Sequence, residues 1–240
     1  MKKTFEKLLK VIFPERCACC NRVIGSGGIC TDCKRALNKI EGSVCPLCGR
    51  RPKECNCRQK RHAFVRCIAP FCYQGPVSRG LKGLKFYGHR AAAGYFAREM
   101  ANCVRERYQG VEFDLVVCVP LSAQRMKERG YNQSELLAAG MAKELALPFA
   151  ADALQKLYDN PIQHSLTALQ RRGNVLGVYE AKAAEVQGKR ILLVDDIATT
   201  GATLHECAKM LCLSGAKEVY AVTAALVNPP RKDGSEAQRN

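Results

Sequence analysis

The sequence predicts an α/β fold: an open, mostly parallel sheet flanked by helices, with a small zinc-ribbon-like module at its N-terminal end. Three observations carry that expectation. Residues 113–119, 190–194 and 217–227 are dominated by apolar runs, as strands buried on both faces require. Helical spacing over 132–147 and 203–214 separates them, the alternation expected of parallel crossovers. Nine of the fifteen cysteines fall between positions 17 and 57, eight of them in regular pairs.

A chain of 240 residues with 47% hydrophobic content can bury one or two cores. The formal charge is +16, and residues 1–61 alone hold 15 Lys/Arg against 5 Asp/Glu. A basic head of this kind fits a polyanionic partner such as nucleic acid. Residues 1–61 are expected to form an N-terminal helix and cysteine module, 62–228 an α/β domain, and 229–240 a disordered tail. No apolar run is long enough for a signal-peptide core or a membrane span, which predicts a cytoplasmic protein. Phe5, Leu8, Leu9 and Ile12 instead share one face of an amphipathic helix ended by Pro14, expected to pack on the domain that follows.

The cysteines read as Cys17-x2-Cys20, Cys30-x2-Cys33, Cys45-x2-Cys48 and Cys55-x-Cys57. Paired thiols at this spacing grip a metal from tight knuckles, and two knuckles complete a tetrahedral zinc site. Spacing leaves the pairing open between a sequential arrangement (17/20 with 30/33) and an interleaved one (17/20 with 45/48). Cys19 stands outside the pattern. Such a module holds few large apolar residues, so bound zinc is expected to supply its stability, and chelation to unfold residues 15–60 selectively. The basic clusters between and after the knuckles, including Arg50, Arg51 and Lys53, are candidate contacts to phosphate backbones.

The second domain opens with residues 64–74, which read as a strand, turned by Gly75-Pro76. Residues 77–108 read mainly as helix interrupted near Gly88, with Lys85 as a candidate anion ligand. The strand over 113–122 is stopped by Pro120. After it, Arg125, Lys127 and Arg129 read as a basic loop at a strand's carboxyl end, where a pyrophosphate would sit in an open α/β sheet. Residues 152–160 read as a strand. The polar stretch 162–181, with Gln163, His164, Arg171 and Asn174, has the composition of a flap that closes on ligand, and His164 reads as a hydrogen-bonding loop residue.

Residues 190–204, RILLVDDIATTGATL, bring the chemistry together. An apolar strand is expected to end at Asp195 and Asp196, and a loop of small and hydroxyl residues then leads into a helix. Unpaired amides and the positive dipole end at that helix start suit a phosphate. Gly201 allows close backbone approach, and the Thr hydroxyls add hydrogen bonds. The two carboxylates can accept from vicinal hydroxyls of a sugar. The implied ligand is a sugar phosphate lying across the strand's carboxyl end.

LLVDDIATTGAT resembles the phosphoribosyl pyrophosphate (PRPP) signature of type I phosphoribosyltransferases. The resemblance implies that Asp195 and Asp196 hold the ribose hydroxyls and act in catalysis, while Ala198, Thr199, Thr200, Gly201, Ala202 and Thr203 cradle the 5′-phosphate. Extended over CACC, CTDC, CPLCG, YQGPVSRGLKGLKFYG, VPLSAQRMKERGYNQSELLA and QHSLTALQRRGNVLGVY, it is a resemblance to the ComF family of competence-associated proteins. That family implies a type I phosphoribosyltransferase fold, zinc on the eight paired cysteines, and Mg²⁺ accompanying PRPP. It further implies that RGYNQ (129–133), with Arg129, and the block of Gln163, Arg171 and Asn174 belong to the PRPP-binding half, beside Arg125 and Lys85 as the anion ligands already read from charge and position. Its partners would be single-stranded DNA and the DNA-uptake helicase machinery, in natural competence. Cys118 stands where the family often has Pro, and His164 where it often has Thr; the last cysteine pair is more commonly C-x-x-C. Thr199 occupies the position of the second Asp of 6-oxopurine transferases, which argues against hypoxanthine or guanine salvage. Two expectations follow: a DNA-handling factor that binds PRPP or ribose phosphates, or a PRPP-dependent transferase with an unidentified acceptor.

Overall fold

A computed structural model describes residues 14–55, 57, 62–157 and 178–228. The amphipathic N-terminal stretch, the flap with His164 and Arg171, and the tail lie outside the described residues. The cysteine module carries helix α1 (Thr31–Arg35) and a short 3-10 turn (Pro52–Glu54). Strands β1 (Cys67–Ile68) and β2 (Phe71–Cys72) follow, then helices α2 (Gly75–Phe86) and α3 (Ala92–Arg107), then β3 (Leu115–Cys118). Helices α4 (Ala123–Arg129) and α5 (Gln133–Leu145) lead to β4 (Phe149–Ala150) and to β5 (Leu154–Lys156). The chain ends with β6 (Tyr179–Ala181), α6 (Ala183–Val186), β7 (Arg190–Ala198), α7 (Ala202–Leu213) and β8 (Glu218–Leu226).

The main sheet runs β1–β8–β7–β3–β4, with β2 also on β8, and every pairing in it is parallel. β5 and β6 form a separate antiparallel ribbon. Because alternate residues of a strand face opposite ways, the apolar runs feed two cores at once. Val116, Leu192, Val194 and Val222 pack under α3 and α5 with Phe96, Met100, Leu137 and Met141. Leu115, Val117, Ile191, Leu193 and Val219 meet Leu204, Cys207, Ala208 and Leu211 of α7. Each fully buried large aliphatic or aromatic side chain contributes about 1.5–3 kcal/mol, so these two layers fix the sheet's position.

Three expectations change. The strand over 64–74 is two short strands separated at Pro70, whose nitrogen has no hydrogen to give to β8. The basic loop after β3 is helix α4, with Ser122 as N-cap accepting from the Arg125 amide at 3.4 Å and Gly130 left-handed at its C-terminal end. β7 does not stop at the acidic pair. Its pairing with β3 ends at Val194, but its pairing with β8 continues to Ala198. The carboxylates therefore sit beyond the end of the shorter neighbour, on a strand held from one side.

The cysteine module packs directly on the α/β part. Cys17, Ala18, Cys19 and Cys33 share a core with Phe71, Val77, Leu81 and Phe96. A Cβ at Gly80 of α2 would lie 2.5 Å from the Ala18 carbonyl oxygen, so only glycine admits this approach. Gly49, left-handed at φ 69°, likewise lies against β1, where a Cβ would stand 2.4 Å from the Cys67 carbonyl oxygen.

Candidate functional site

Asp195 and Asp196 are both buried at the carboxyl end of the sheet. Asp195 Oδ1 accepts from the Ser134 hydroxyl and from the Asp196 amide, each at 2.8 Å. Asp196 Oδ1 accepts from the Ile197 amide at 2.8 Å. Asp196 Oδ2 faces the Lys85 ammonium at 3.4 Å, an ion-pair contact without hydrogen-bond alignment, so this buried oxygen has no directed donor. Burial and the neighbouring Asp196 charge push Asp195 well above the usual carboxylate range, to about 8; Ser134, the Asp196 amide and Lys85 oppose that rise. Two carboxyls in one dry site, with one oxygen unpartnered, suit a ligand that brings hydroxyls or a cation.

A cleft of about 190 Å³ lies over the pair, lined among others by Lys85, Ser122, Arg125, Gln133, Ser134 and Thr203. Lys156 and Tyr179, at the base of the β5–β6 ribbon, close one side. The structure thus brings Lys85, Arg125 and Thr203 to the acids. It does not bring Arg129 there. One helical turn beyond Arg125, Arg129 donates to Gln133 Oε1 at 3.1 Å and lies over the Phe86 ring at 5.2 Å. Ser134, Lys156 and Tyr179 escaped the sequence reading. Ser134 had a usable signal, since a hydroxyl in the first turn of α5 is near the carboxyl end of β3, but Lys156 and Tyr179 arrive through a ribbon paired across unassigned chain.

The loop after β7 has the expected order. Ala198 closes the strand, Thr199 and Thr200 are exposed, and left-handed Gly201 (φ 78°) precedes α7. Thr200 Oγ1 accepts from the Ala202 amide at 3.3 Å. The remaining first-turn amides of α7 have no intrahelical acceptor, as at any helix start. From below, the loop is held by Arg50, whose Nε donates to the Val227 carbonyl at 3.1 Å and whose Nη2 donates to the carbonyls of Ala198 and Thr199.

This overturns the expected nucleic-acid role of Arg50. It is 6% exposed, with its guanidinium committed to backbone carbonyls. Arg51 is also engaged inside the module, with Asn38 Oδ1 at 2.9 Å, the Lys39 carbonyl at 2.7 Å and Glu54 at 3.5 Å. Lys53 is exposed. Among the described residues the exposed aromatics lie elsewhere: Phe86 and Tyr87, 61% and 72% exposed, stand at the C-terminal end of α2 immediately after Lys85.

The eight paired cysteines form two groups, Cys17/Cys20/Cys30/Cys33 and Cys45/Cys48/Cys55/Cys57, each with its sulfurs within 4.8 Å of one another. The sequential pairing is therefore the one adopted. Cys20 and Cys30 sulfurs are 3.8 Å apart, as are those of Cys48 and Cys55. Tetrahedral zinc with bonds near 2.3 Å places its sulfurs about 3.8 Å apart. The donor set and its spacing fit structural zinc at both groups. Cys19 takes no part and is buried in the shared core.

The comparisons with known proteins agree with this geometry. Residues 100–237 match the phosphoribosyl transferase domain, and residues 8–73 match the double zinc ribbon domain. The DNA utilization protein YhgH of Escherichia coli is 31% identical over 204 residues, covering 82% of this chain and 89% of that protein. Competence protein ComFC of Bacillus subtilis is 28% identical over 207 residues, covering 78% of this chain and 79% of that one. Competence protein F of Haemophilus influenzae is 27% identical over 219 residues, covering 86% and 95%. Fold and site thus define a phosphoribosyltransferase-type domain joined to a double zinc ribbon. Within that class, the chain belongs to the ComF family. No helix among the described residues is long and apolar enough to cross a membrane.

Proposed function

We propose that this protein binds PRPP or a related ribose phosphate together with Mg²⁺, and handles single-stranded DNA during natural competence in the cytoplasm. The observation that carries the first part is the buried carboxyl pair, with Asp196 Oδ2 lacking a directed donor and free amides one loop away. Ribose hydroxyls would donate to Asp195 and Asp196, and the 5′-phosphate would rest on residues 199–203. Lys85 and Arg125 would face the pyrophosphate. Mg²⁺ supplies charge neutralisation across pyrophosphate and hydroxyl oxygens. Lys85 then plays two parts: it pairs with Asp196 at 3.4 Å and can turn to the ligand's phosphates when the hydroxyls engage the acids.

The names of the relatives support the second part, since they place ComFC and competence protein F in competence and YhgH in DNA utilization. With Arg50 and Arg51 committed internally, the strand's contact surface is the cleft rim. There Phe86 and Tyr87 follow Lys85 of the cleft and are exposed, with the Arg129 guanidinium over the Phe86 ring. Base stacking on aromatics contributes about 1–3 kcal/mol per base, so Phe86→Ala/Tyr87→Ala is expected to weaken binding of a labelled oligo-dT about tenfold or more. Mg-PRPP affinity should stay within twofold, about 0.4 kcal/mol. A double variant that binds oligo-dT as tightly as wild type removes this surface from consideration.

Calorimetric titration with Mg-PRPP tests the ligand. The reading fails if no saturable heat is seen. Release of pyrophosphate on adding bases would favour the second reading, a PRPP-dependent transferase of unidentified acceptor, for which the same site supplies positioning and electrostatic stabilisation. DNA-uptake helicase machinery is the partner class to screen by pull-down with purified components.

A further inference from the structure

The second cysteine group is tied to the phosphate loop by one side chain. The knuckle Cys45–Cys48 turns at Gly49, whose amide donates to the Cys45 carbonyl at 3.0 Å, and the Cys45 amide donates back to the Arg50 carbonyl at 2.7 Å. The knuckle is in turn pinned to the sheet, because the Cys67 amide donates to the Leu47 carbonyl at 2.8 Å. Arg50 leaves this turn and passes under the sheet's carboxyl end. Its Nε reaches the Val227 carbonyl at 3.1 Å, and its Nη2 reaches Ala198 and Thr199. The Val227 amide donates to the Ala198 carbonyl at 3.0 Å, so one guanidinium locks the ends of β7 and β8 together at the point where the loop begins.

Two further facts set Arg50 apart from an ordinary buried arginine. It is 6% exposed, yet forms no ion pair among the described residues. With three backbone carbonyls as its partners, the guanidinium fixes where those carbonyls point. Those of Ala198 and Thr199 begin the loop that leads into α7. Arg51, one residue on, is just as engaged, but all its polar contacts lie inside the module or on β2.

We propose that Arg50 is a positioning residue for the phosphate loop, and that through it the second cysteine knuckle controls how well the site holds an anionic ligand. This rests on the ribose-phosphate reading for the ligand, but the brace itself is independent of that reading. Without Arg50, the Ala198 and Thr199 carbonyls lose their shared donor and the loop samples other conformations. Ligand affinity then falls by the fraction of time the loop remains in place.

The test uses the full-length, metal-loaded protein in three variants: Arg50→Ala, Arg50→Lys and Arg51→Ala. Amide hydrogen exchange of residues 199–204 is measured without ligand, and Mg-PRPP affinity by calorimetry. Arg50→Ala is expected to speed exchange across 199–204 and to weaken Mg-PRPP about tenfold or more, with millimolar guanidinium restoring part of both. Arg50→Lys keeps the charge without the fork, stays folded, and recovers less of the protection. Arg51→Ala leaves both readouts at wild-type values while lowering the melting temperature. Faster exchange in Arg50→Ala when wild type itself fails to bind Mg-PRPP would sustain the brace and sink the ligand reading instead. Unchanged exchange at 199–204 in Arg50→Ala, or an equal change in Arg51→Ala, overturns the proposal.

Discussion

Asp195→Asn is expected to weaken Mg-PRPP binding at least about tenfold and yet to raise the melting temperature at alkaline pH. Both effects have one cause. Asp195 is buried beside Asp196, and its carboxyl is raised from an ordinary 3.8 to about 8. Folding therefore takes up a proton between those values. The sign follows: this residue's contribution favours the fold most below pH 3.8, and it is lost as pH rises through about 8. An asparagine keeps an oxygen for the Ser134 hydroxyl and the Asp196 amide but never carries the charge. Its stability advantage should vanish towards pH 4, grow as pH rises to about 8 and level off above it, a trend that thermal melts across that range would reveal or refute. Binding moves the other way. A ribose hydroxyl donating to a carboxylate is a charged hydrogen bond, and losing one costs about 1.5–3 kcal/mol, or at least about tenfold in affinity. In the wild type, ligand binding must expel the proton held by Asp195. Mg-PRPP affinity should thus rise with pH, by up to about tenfold per unit, and level off above the carboxyl's apo value. A flat profile between pH 6 and 9 would remove Asp195 from the ligand's contacts.

Metal removal should have the largest effect on stability, and it should not stay within the cysteine module. Structural zinc sites contribute on the order of 10 kcal/mol, comparable with the whole stability of a domain, about 5–15 kcal/mol. The sequence by itself predicts selective unfolding of residues 15–60. The packing argues for a wider loss, because Cys17, Ala18, Cys19 and Cys33 lie in one core with Phe71, Val77, Leu81 and Phe96. Hydrogen exchange after treatment with a zinc-selective chelator should therefore show protection lost at the module, then at β1, β2, α2 and the start of α3. The central strands β3 and β7 should keep theirs longest. The two clusters should also differ. Cys17→Ser/Cys20→Ser is expected to destabilise α2, against which the first knuckle packs through Gly80. Cys45→Ser/Cys48→Ser is expected to weaken ligand binding by releasing Arg50. If chelation unfolded only residues 14–57 and left α2 protected, the shared core would contribute nothing to stability.

The strands, the helices and the order of the site's parts were legible because each depends on neighbours in the chain. An apolar run reads as a buried strand wherever it occurs, and 190–204 spells strand, acids, hydroxyl loop and helix in contiguous residues. Lys85 and Arg125 stand out in the sequence for the same reason, a charge near an element's end, and both line the cleft over the acids. Arg129 was placed with Arg125 because both looked like one loop; as a helix, that segment puts its last turn over Phe86 instead. Arg50 is the residue whose surroundings the sequence signals least. A basic residue beside a zinc knuckle is normally solvated, and nothing within several residues of it signals that it is buried. Its partners are Ala198, Thr199 and Val227, about 150 or more positions away.

Sequence by itself determined what local spacing can encode: a parallel α/β sheet, paired cysteine knuckles, and an acid pair ahead of a phosphate-type loop. Only the tertiary structure decided how the knuckles pair, how far β7 runs past β3, which cations reach the acids, and that an arginine of the metal module props the loop. Spacing fixes contacts a few residues apart. Contacts between distant segments depend on which faces the packed sheet presents, and a side chain's charge does not say whether it meets water or a carbonyl.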